Sequence, residues 1–246
     1  MKTLRAVWRL ARVVVHALYG AVICATLFPF LAPARRMRIV GRWSAQMLTV
    51  LGVRLQSNGI ARSGPVLFVA NHVSWLDILA INAVRPARFV SKADVRHWPV
   101  IGWMVACGGT LFIERERKRD ALRVVHQVAQ ALKSGETVAV FPEGTTGDGH
   151  ALLPFHANLL QAAISTEVPV QPIALRYSDA RHAVSPAAAY VGDTSLVRSF
   201  WWIVCAEGLR VRVQMLLPEG TRHLDRRALA ERLQAQIGSA LLQPLL

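Results

Sequence analysis

Residues 65–77 read PVLFVANHVSWLD. The first six residues form an apolar run of strand length. The polar Asn71-His72 pair then breaks it, and Ser74 offers a helix N-cap. A strand that runs through a short polar turn into a helix is the unit from which parallel sheets are built. The rest of the chain repeats the pattern. Strand-type runs are expected at Pro65–Ala70, Arg88–Ser91, Thr110–Ile113, Thr137–Phe141, Val170–Tyr177 and Leu209–Leu216. Between them Asp120–Lys133 carries Leu122, Val125, Val128, Ala129 and Leu132 at helical spacing, with Asp120 as candidate N-cap and Gly135 as stop. Leu152–Ile164 and Asp225–Leu242 also read as helices. This alternation predicts an α/β fold with a largely parallel central sheet flanked by helices.

The chain has 246 residues and a net charge of +14, so the expected partner is anionic. Its three cysteines, Cys24, Cys107 and Cys205, are too few and too scattered for a disulfide framework or a cysteine-built metal site. The first acidic residue is Asp77. Ahead of it come Lys2, Arg5, Arg9, Arg12, Arg35, Arg36, Arg38, Arg42, Arg54 and Arg62, around the apolar run Val13–Leu31. That run is marginal in length for a bilayer span, and basic clusters flank both of its ends. Pro29 and Pro33 favour a bend, and Met37–Leu55 alternates arginines with apolar residues like an interfacial helix. The pattern predicts a hairpin that dips into one leaflet. Residues 1–58 would then be membrane-associated helices and residues 59–246 a catalytic domain.

His72 and Asp77 stand five residues apart, which on a regular helix would separate them by about 140°. They can meet only if His72 lies in the strand-to-helix turn and Asp77 in the first helical turn. A carboxylate on one imidazole nitrogen fixes the tautomer and leaves the other nitrogen basic. The competing reading is purely structural, because Ser74-x-x-Asp77 also has the spacing of a capping box.

Downstream lie SKADVRHWPVIGW (91–103), GGTLFIER (108–115), VFPEGTTGDG (140–149) and VPVQPIALRY (168–177). With Asn71-His72-x4-Asp77, these blocks resemble those of the lysophospholipid acyltransferases: Asn-His-x4-Asp, Gly-x-x-Phe-Ile-x-Arg, Phe-Pro-Glu-Gly-Thr and Val-Pro-Val/Ile-x-Pro. All four occur in order across residues 71–172. The resemblance implies the glycerolipid acyltransferase-like α/β fold and an O-acyltransferase working at the cytoplasmic face of the inner membrane. It implies His72 as general base and Asp77 as its orienting partner. Lys92 and Arg115 become donors to an anionic head group, and Phe141, Pro142, Glu143, Gly144, Thr145 and Thr146 an acceptor-facing loop. An acyl thioester of coenzyme A or of acyl carrier protein would be co-substrate, with no cofactor, no metal and no nucleic acid. The acceptor expected first is 1-acyl-sn-glycerol-3-phosphate, giving phosphatidate.

The motif departs from the phosphatidate-forming pattern at two places. Thr146 stands where many such members carry an arginine, and His156 where a lysine is common. A neutral hydroxyl does not replace a charge-assisted phosphate contact, which brings lyso-ornithine lipid forward as an alternative acceptor. A non-catalytic lipid-binding protein would be expected to lack His72 or Asp77, and both are present. A serine hydrolase would need a Gly-x-Ser-x-Gly elbow, which is absent. The second Pro-Glu-Gly-Thr, at 218–221, lies in unrelated flanking sequence and reads as a turn. The segment SFWWIVCAEG (199–208) reads as buried or interfacial.

Overall fold

The computed structural model describes residues 2–113 and 118–243. Its centre is a seven-stranded sheet made of β1 (Arg54–Asn58), β2 (Val66–Ala70), β3 (Arg88–Lys92), β4 (Leu111–Ile113), β5 (Thr137–Val140), β6 (Val170–Ser178) and β7 (Arg210–Met215). The strand order is β1-β7-β6-β2-β5-β3-β4. Every neighbouring pair is parallel except β6–β7. The C-terminal ends of β2 through β6 therefore share one edge of the sheet, the edge where open parallel sheets carry their sites.

β2 shows why the sheet is covered on both faces. All five of its residues are buried. Val66, Phe68 and Ala70 pack into one cluster with Leu48, Leu51, Leu76, Ile81 and Ile203. Leu67 and Val69 point the other way, among Val124, Val128, Leu160, Leu229 and Leu233. This is the period-2 alternation of a strand sandwiched between two helical layers. The first layer holds α1 (Lys2–Thr26), α2 (Pro33–Leu51), α3 (Leu76–Val84) and α7 (Leu196–Cys205); the short α4 (Ile101–Cys107) packs against α1. The second holds α5 (Lys118–Lys133), α6 (Leu160–Thr166) and α8 (Arg226–Leu242).

The six expected strands are all present, with ends shifted by one residue in most cases. β1 was not expected. The interfacial helix predicted over Met37–Leu55 instead runs Pro33–Leu51, where Gly52 at φ 81° stops it and lets the chain turn into β1. β1 pairs with β7, so residues on the N-terminal side of position 58 belong to the sheet. The helix expected over Leu152–Ile164 shrinks to α6 and a preceding 3-10 turn, since Leu153 and the proline after it run as irregular chain. Asp120 lies inside α5 and is not its cap. Asp225 does cap α8, its Oδ1 accepting from the N–H groups of Arg227 and Ala228.

The N-terminal hairpin is present with different bounds. α1 begins at Lys2 and ends at Thr26, and Pro29 sits in a 3-10 turn ahead of α2. The His16 ring stacks on Trp43 at 5.1 Å and 12°. Each ring nitrogen donates to the other residue's carbonyl at 3.1 Å. Gly20 makes this approach possible, because a Cβ there would lie 2.5 Å from Trp43 Nε1. Thr3–Thr26 is long and apolar enough to cross a membrane, by length and composition. Leu4, Val7, Trp8, Val14, Val15, Leu18 and Val22 are exposed along it.

Candidate active site

The turn after β2 is built around one buried carboxylate. Asp77 has no exposed surface and sits in the first turn of α3. Its Oδ2 accepts from His72 Nδ1 at 2.7 Å and from the N–H groups of Val73 (2.7 Å) and Ser74 (2.9 Å). Its Oδ1 accepts from the Tyr177 hydroxyl at 2.7 Å. Four donors converge on this buried carboxylate and satisfy its oxygens, which offsets the cost of burying them. Burial, followed by the nearby Asp77 charge, pushes the Tyr177 phenol well above its ordinary range, so it stays a donor.

The capping-box and catalytic readings turn out to be compatible. Asp77 does reach back to the Ser74 N–H, as the box requires. Ser74 Oγ, however, is buried and makes no hydrogen bond among the described residues, so Ser74 is not the expected side-chain cap. The same carboxylate oxygen organises the turn and holds the imidazole. With Nδ1 donating to Asp77, the neutral ring keeps its lone pair on Nε2, which has no partner among the described residues. The His72 side chain is 19% exposed. Its ring lies flat on Phe141, with centroids 3.9 Å apart and planes 8° apart.

The Phe-Pro-Glu-Gly-Thr segment begins where β5 ends and supports this turn from below. Glu143 is buried, and its two oxygens accept from the N–H groups of His72 (2.7 Å) and Leu153 (2.9 Å). Glu143 was expected to face an acceptor; in the structure its carboxylate ties two loops together. Burial raises its carboxyl above the ordinary value, opposed by those two N–H bonds. Gly144 takes φ 72°, which a side chain would strain. The Gly147 N–H donates to the His72 carbonyl at 2.8 Å, and the Pro142 carbonyl accepts from the His156 N–H at 2.8 Å. Thr145 is exposed, whereas the Thr146 hydroxyl donates to the Tyr190 carbonyl. The Tyr190 N–H in turn bonds the Val73 carbonyl at 3.0 Å. Thr146 thus fastens the 190 loop to the motif.

Lys92 ends β3 on the site edge, and its ammonium pairs with Asp94 on the surface. Arg115 lies outside the described residues. Asn71 welds β2 to β6: its Nδ2 donates to the Leu175 carbonyl at 2.9 Å and its Oδ1 accepts from the Leu175 N–H at 2.7 Å. Sequence reasoning missed Tyr177, although it ends the block VPVQPIALRY. The one available signal was a lone tyrosine at the end of a strand whose other residues are apolar or expected to pair, and only the sheet order brings it beside Asp77.

A glutamate-braced loop, an aromatic platform and an oriented imidazole with one open nitrogen form a site able to take a proton from a hydroxyl. Comparison with known proteins agrees with the order of the blocks. Residues 53–176 match the family model described as Acyltransferase. The chain is 38% identical over 207 residues to the lyso-ornithine lipid O-acyltransferase of Pseudomonas aeruginosa, covering 84% of this chain and 79% of that protein. It is 36% identical over 208 residues to the 1-acyl-sn-glycerol-3-phosphate acyltransferase of Neisseria meningitidis serogroup B, covering 83% and 81%. The fold is similar to that of the crystallised 1-acyl-sn-glycerophosphate acyltransferase of Thermotoga maritima, with a TM-score of 0.69 at 20% identity over 99% of this chain and 98% of that one. The second-strand turn with its His72–Asp77 pair, the braced Phe-Pro-Glu-Gly-Thr loop and the sequence match agree on one conclusion: the chain belongs to the acyltransferase family.

Proposed function

We propose that this enzyme transfers a fatty acyl group from an acyl thioester to the free hydroxyl of a lysolipid. The observation that carries the reading is the His72 Nδ1–Asp77 Oδ2 contact at 2.7 Å with Nε2 left open. In the proposed step, Nε2 accepts the hydroxyl proton as the oxygen attacks the thioester carbonyl. The new C–O bond forms, the C–S bond breaks, and the imidazolium returns its proton to the leaving thiolate of coenzyme A or acyl carrier protein. A positioned base of this kind contributes about 10²–10⁴ in rate. Alignment of the two substrates supplies further acceleration. The α1–α2 hairpin, with its exposed apolar residues and flanking arginines, would hold the enzyme on the cytoplasmic face of the inner membrane.

Position 146 bears on the acceptor. Thr146 brings no cation there, and its hydroxyl is already given to the Tyr190 carbonyl. That supports lyso-ornithine lipid over lysophosphatidate, the acceptor named for the Neisseria relative. Lysophosphatidate remains the second reading, for which Lys92 and Arg115 would have to supply the phosphate contacts. The test is a panel with purified enzyme, both thioester donors and both acceptors, with His72→Ala as control. Preference for lyso-ornithine lipid is the expected result, and preference for lysophosphatidate reverses the order. Near-wild-type turnover by His72→Ala would overturn the mechanism.

A further inference from the structure

We propose that α7 is a second bilayer contact, seated on anionic phospholipid, that ties the candidate active-site turn to the membrane. This rests on the lysolipid reading above and concerns the outer face of the segment SFWWIVCAEG, which neither the core packing nor the proton-transfer step uses.

The two faces of α7 differ. Its inner face is committed to the core and the site: Ser199, Ile203 and Val204 are buried. Ser199 Oγ accepts from Trp75 Nε1 at 3.0 Å, and Phe200 packs on the Trp75 ring with centroids 4.5 Å apart. Trp75 lies between His72 and Asp77 in the motif itself. The outer face carries Val197 at 79% exposure and Trp201 at 41%, one helical turn apart. Arg198 is exposed beside them, its guanidinium 4.7 Å from the Trp202 ring centroid.

Three observations select a lipid bilayer as the occupant. First, α7 adjoins α1, which exposes Leu4, Val7 and Trp8. It packs along α1, and Arg9 on α1 locks the two together by donating from Nη1 to the Val204 (2.9 Å) and Ala206 (3.2 Å) carbonyls. Second, its outer residues are a tryptophan, an aliphatic residue and an arginine stacked on a second tryptophan, the composition of a helix lying at the headgroup level. Third, the net charge of +14 complements anionic lipid. A lysolipid acceptor resides in that bilayer, so an anchor whose inner face grips Trp75 would place the site edge against its substrate.

The test compares the wild type with Val197→Ser/Trp201→Ser and with Val197→Leu/Trp201→Phe. Partition into vesicles of phosphatidylethanolamine and phosphatidylglycerol is measured by sedimentation. Acyl transfer is measured to acceptor embedded in those vesicles and to a short-chain lysolipid below its micelle concentration. The serine pair is expected to weaken partition by about tenfold. It should lower transfer to the embedded acceptor similarly, leave the dispersed acceptor unaffected, and be rescued by the Leu/Phe pair. Unchanged partition overturns the proposal. So does an equal loss on both acceptors with unchanged partition, which would mean that only the support of Trp75 was disturbed. Vesicle partition does not depend on turnover, so a wild type inert toward both acceptors would refute the acyl-transfer reading and still leave α7 tested.

Discussion

The Tyr177 hydroxyl donates to Asp77 Oδ1 at 2.7 Å across 100 residues of sequence. The contact joins the end of β6 to the first turn of α3, because β2, the parallel neighbour of β6, leads to Asp77 and β6 ends one residue after Tyr177. It occupies the carboxylate oxygen that His72 does not, so Asp77 cannot swing away from the ring without stranding a buried phenol. Tyr177 is therefore a positioning residue. It acts on the imidazole through the carboxylate.

Tyr177→Phe keeps the ring and removes the donor. One oxygen of a fully buried carboxylate is then left short of a partner, at a cost of about 1–3 kcal/mol of stability. The carboxylate is then free to turn from the His72 ring, so kcat should fall while the acceptor KM changes little. A lower melting temperature with kcat unchanged would reduce Tyr177 to a packing role.

Asp77→Asn separates orientation from capping. If the carboxylate served only the helix start, its loss would cost about 1 kcal/mol and leave turnover intact. The structure gives the same Oδ2 to His72 Nδ1, so an amide there disturbs the tautomer as well. The expected loss in kcat is about 10²–10⁴, read with saturating substrates alongside a thermal melt. Full turnover in a destabilised variant would return Asp77 to the capping role.

Much of this was legible because the chemistry is local. His72, Asp77 and the Ser74 spacing lie within one turn, and β2 is an unbroken apolar run. β1 escaped notice because Arg54, Gln56 and Asn58 are exposed on an edge strand, which leaves no apolar signature. The bracing role of Glu143 was not legible, because the N–H groups that bond both its oxygens are backbone groups that only the fold brings to it. Thr146 was legible as a missing cation but not as a tether, since Tyr190 reaches it only through the fold.

Glu143 gives the stability a sign in pH. Burial raises its carboxyl above the ordinary value, against the Leu153 and His72 N–H bonds that lower it. The native state thus holds the proton more tightly than the unfolded chain. The resulting increment is complete below the unfolded value and is lost as pH rises through the folded one. Glu143→Gln removes that titration, while its amide nitrogen confronts one of the two N–H donors at a cost of about 1–3 kcal/mol. The melting-temperature gap between wild type and variant should narrow as pH climbs from about 4 to about 7. A gap that stays constant or widens would show that Glu143 keeps its charge throughout.

The clamp on α1 can be tested at Gly52, which closes α2 at φ 81°. An alanine there pays for the left-handed backbone, about 1–2 kcal/mol. Its Cβ would also lie 2.2 Å from Arg9 Cζ, so the guanidinium must leave the Val204 and Ala206 carbonyls. Gly64 supplies the matched control, since it has φ 79° with nothing within 4 Å of an added Cβ. Gly64→Ala should show the backbone cost alone, and Gly52→Ala that cost plus the loss of the Arg9 hook. Gly52→Ala should therefore melt lower than Gly64→Ala and be cut faster by protease between α2 and β1. Arg9→Met is expected to reproduce the excess, because it keeps the apolar stem and removes the nitrogen that donates to both carbonyls. Equal losses at the two glycines would mean that the Arg9 contact adds nothing to holding α1 against α7.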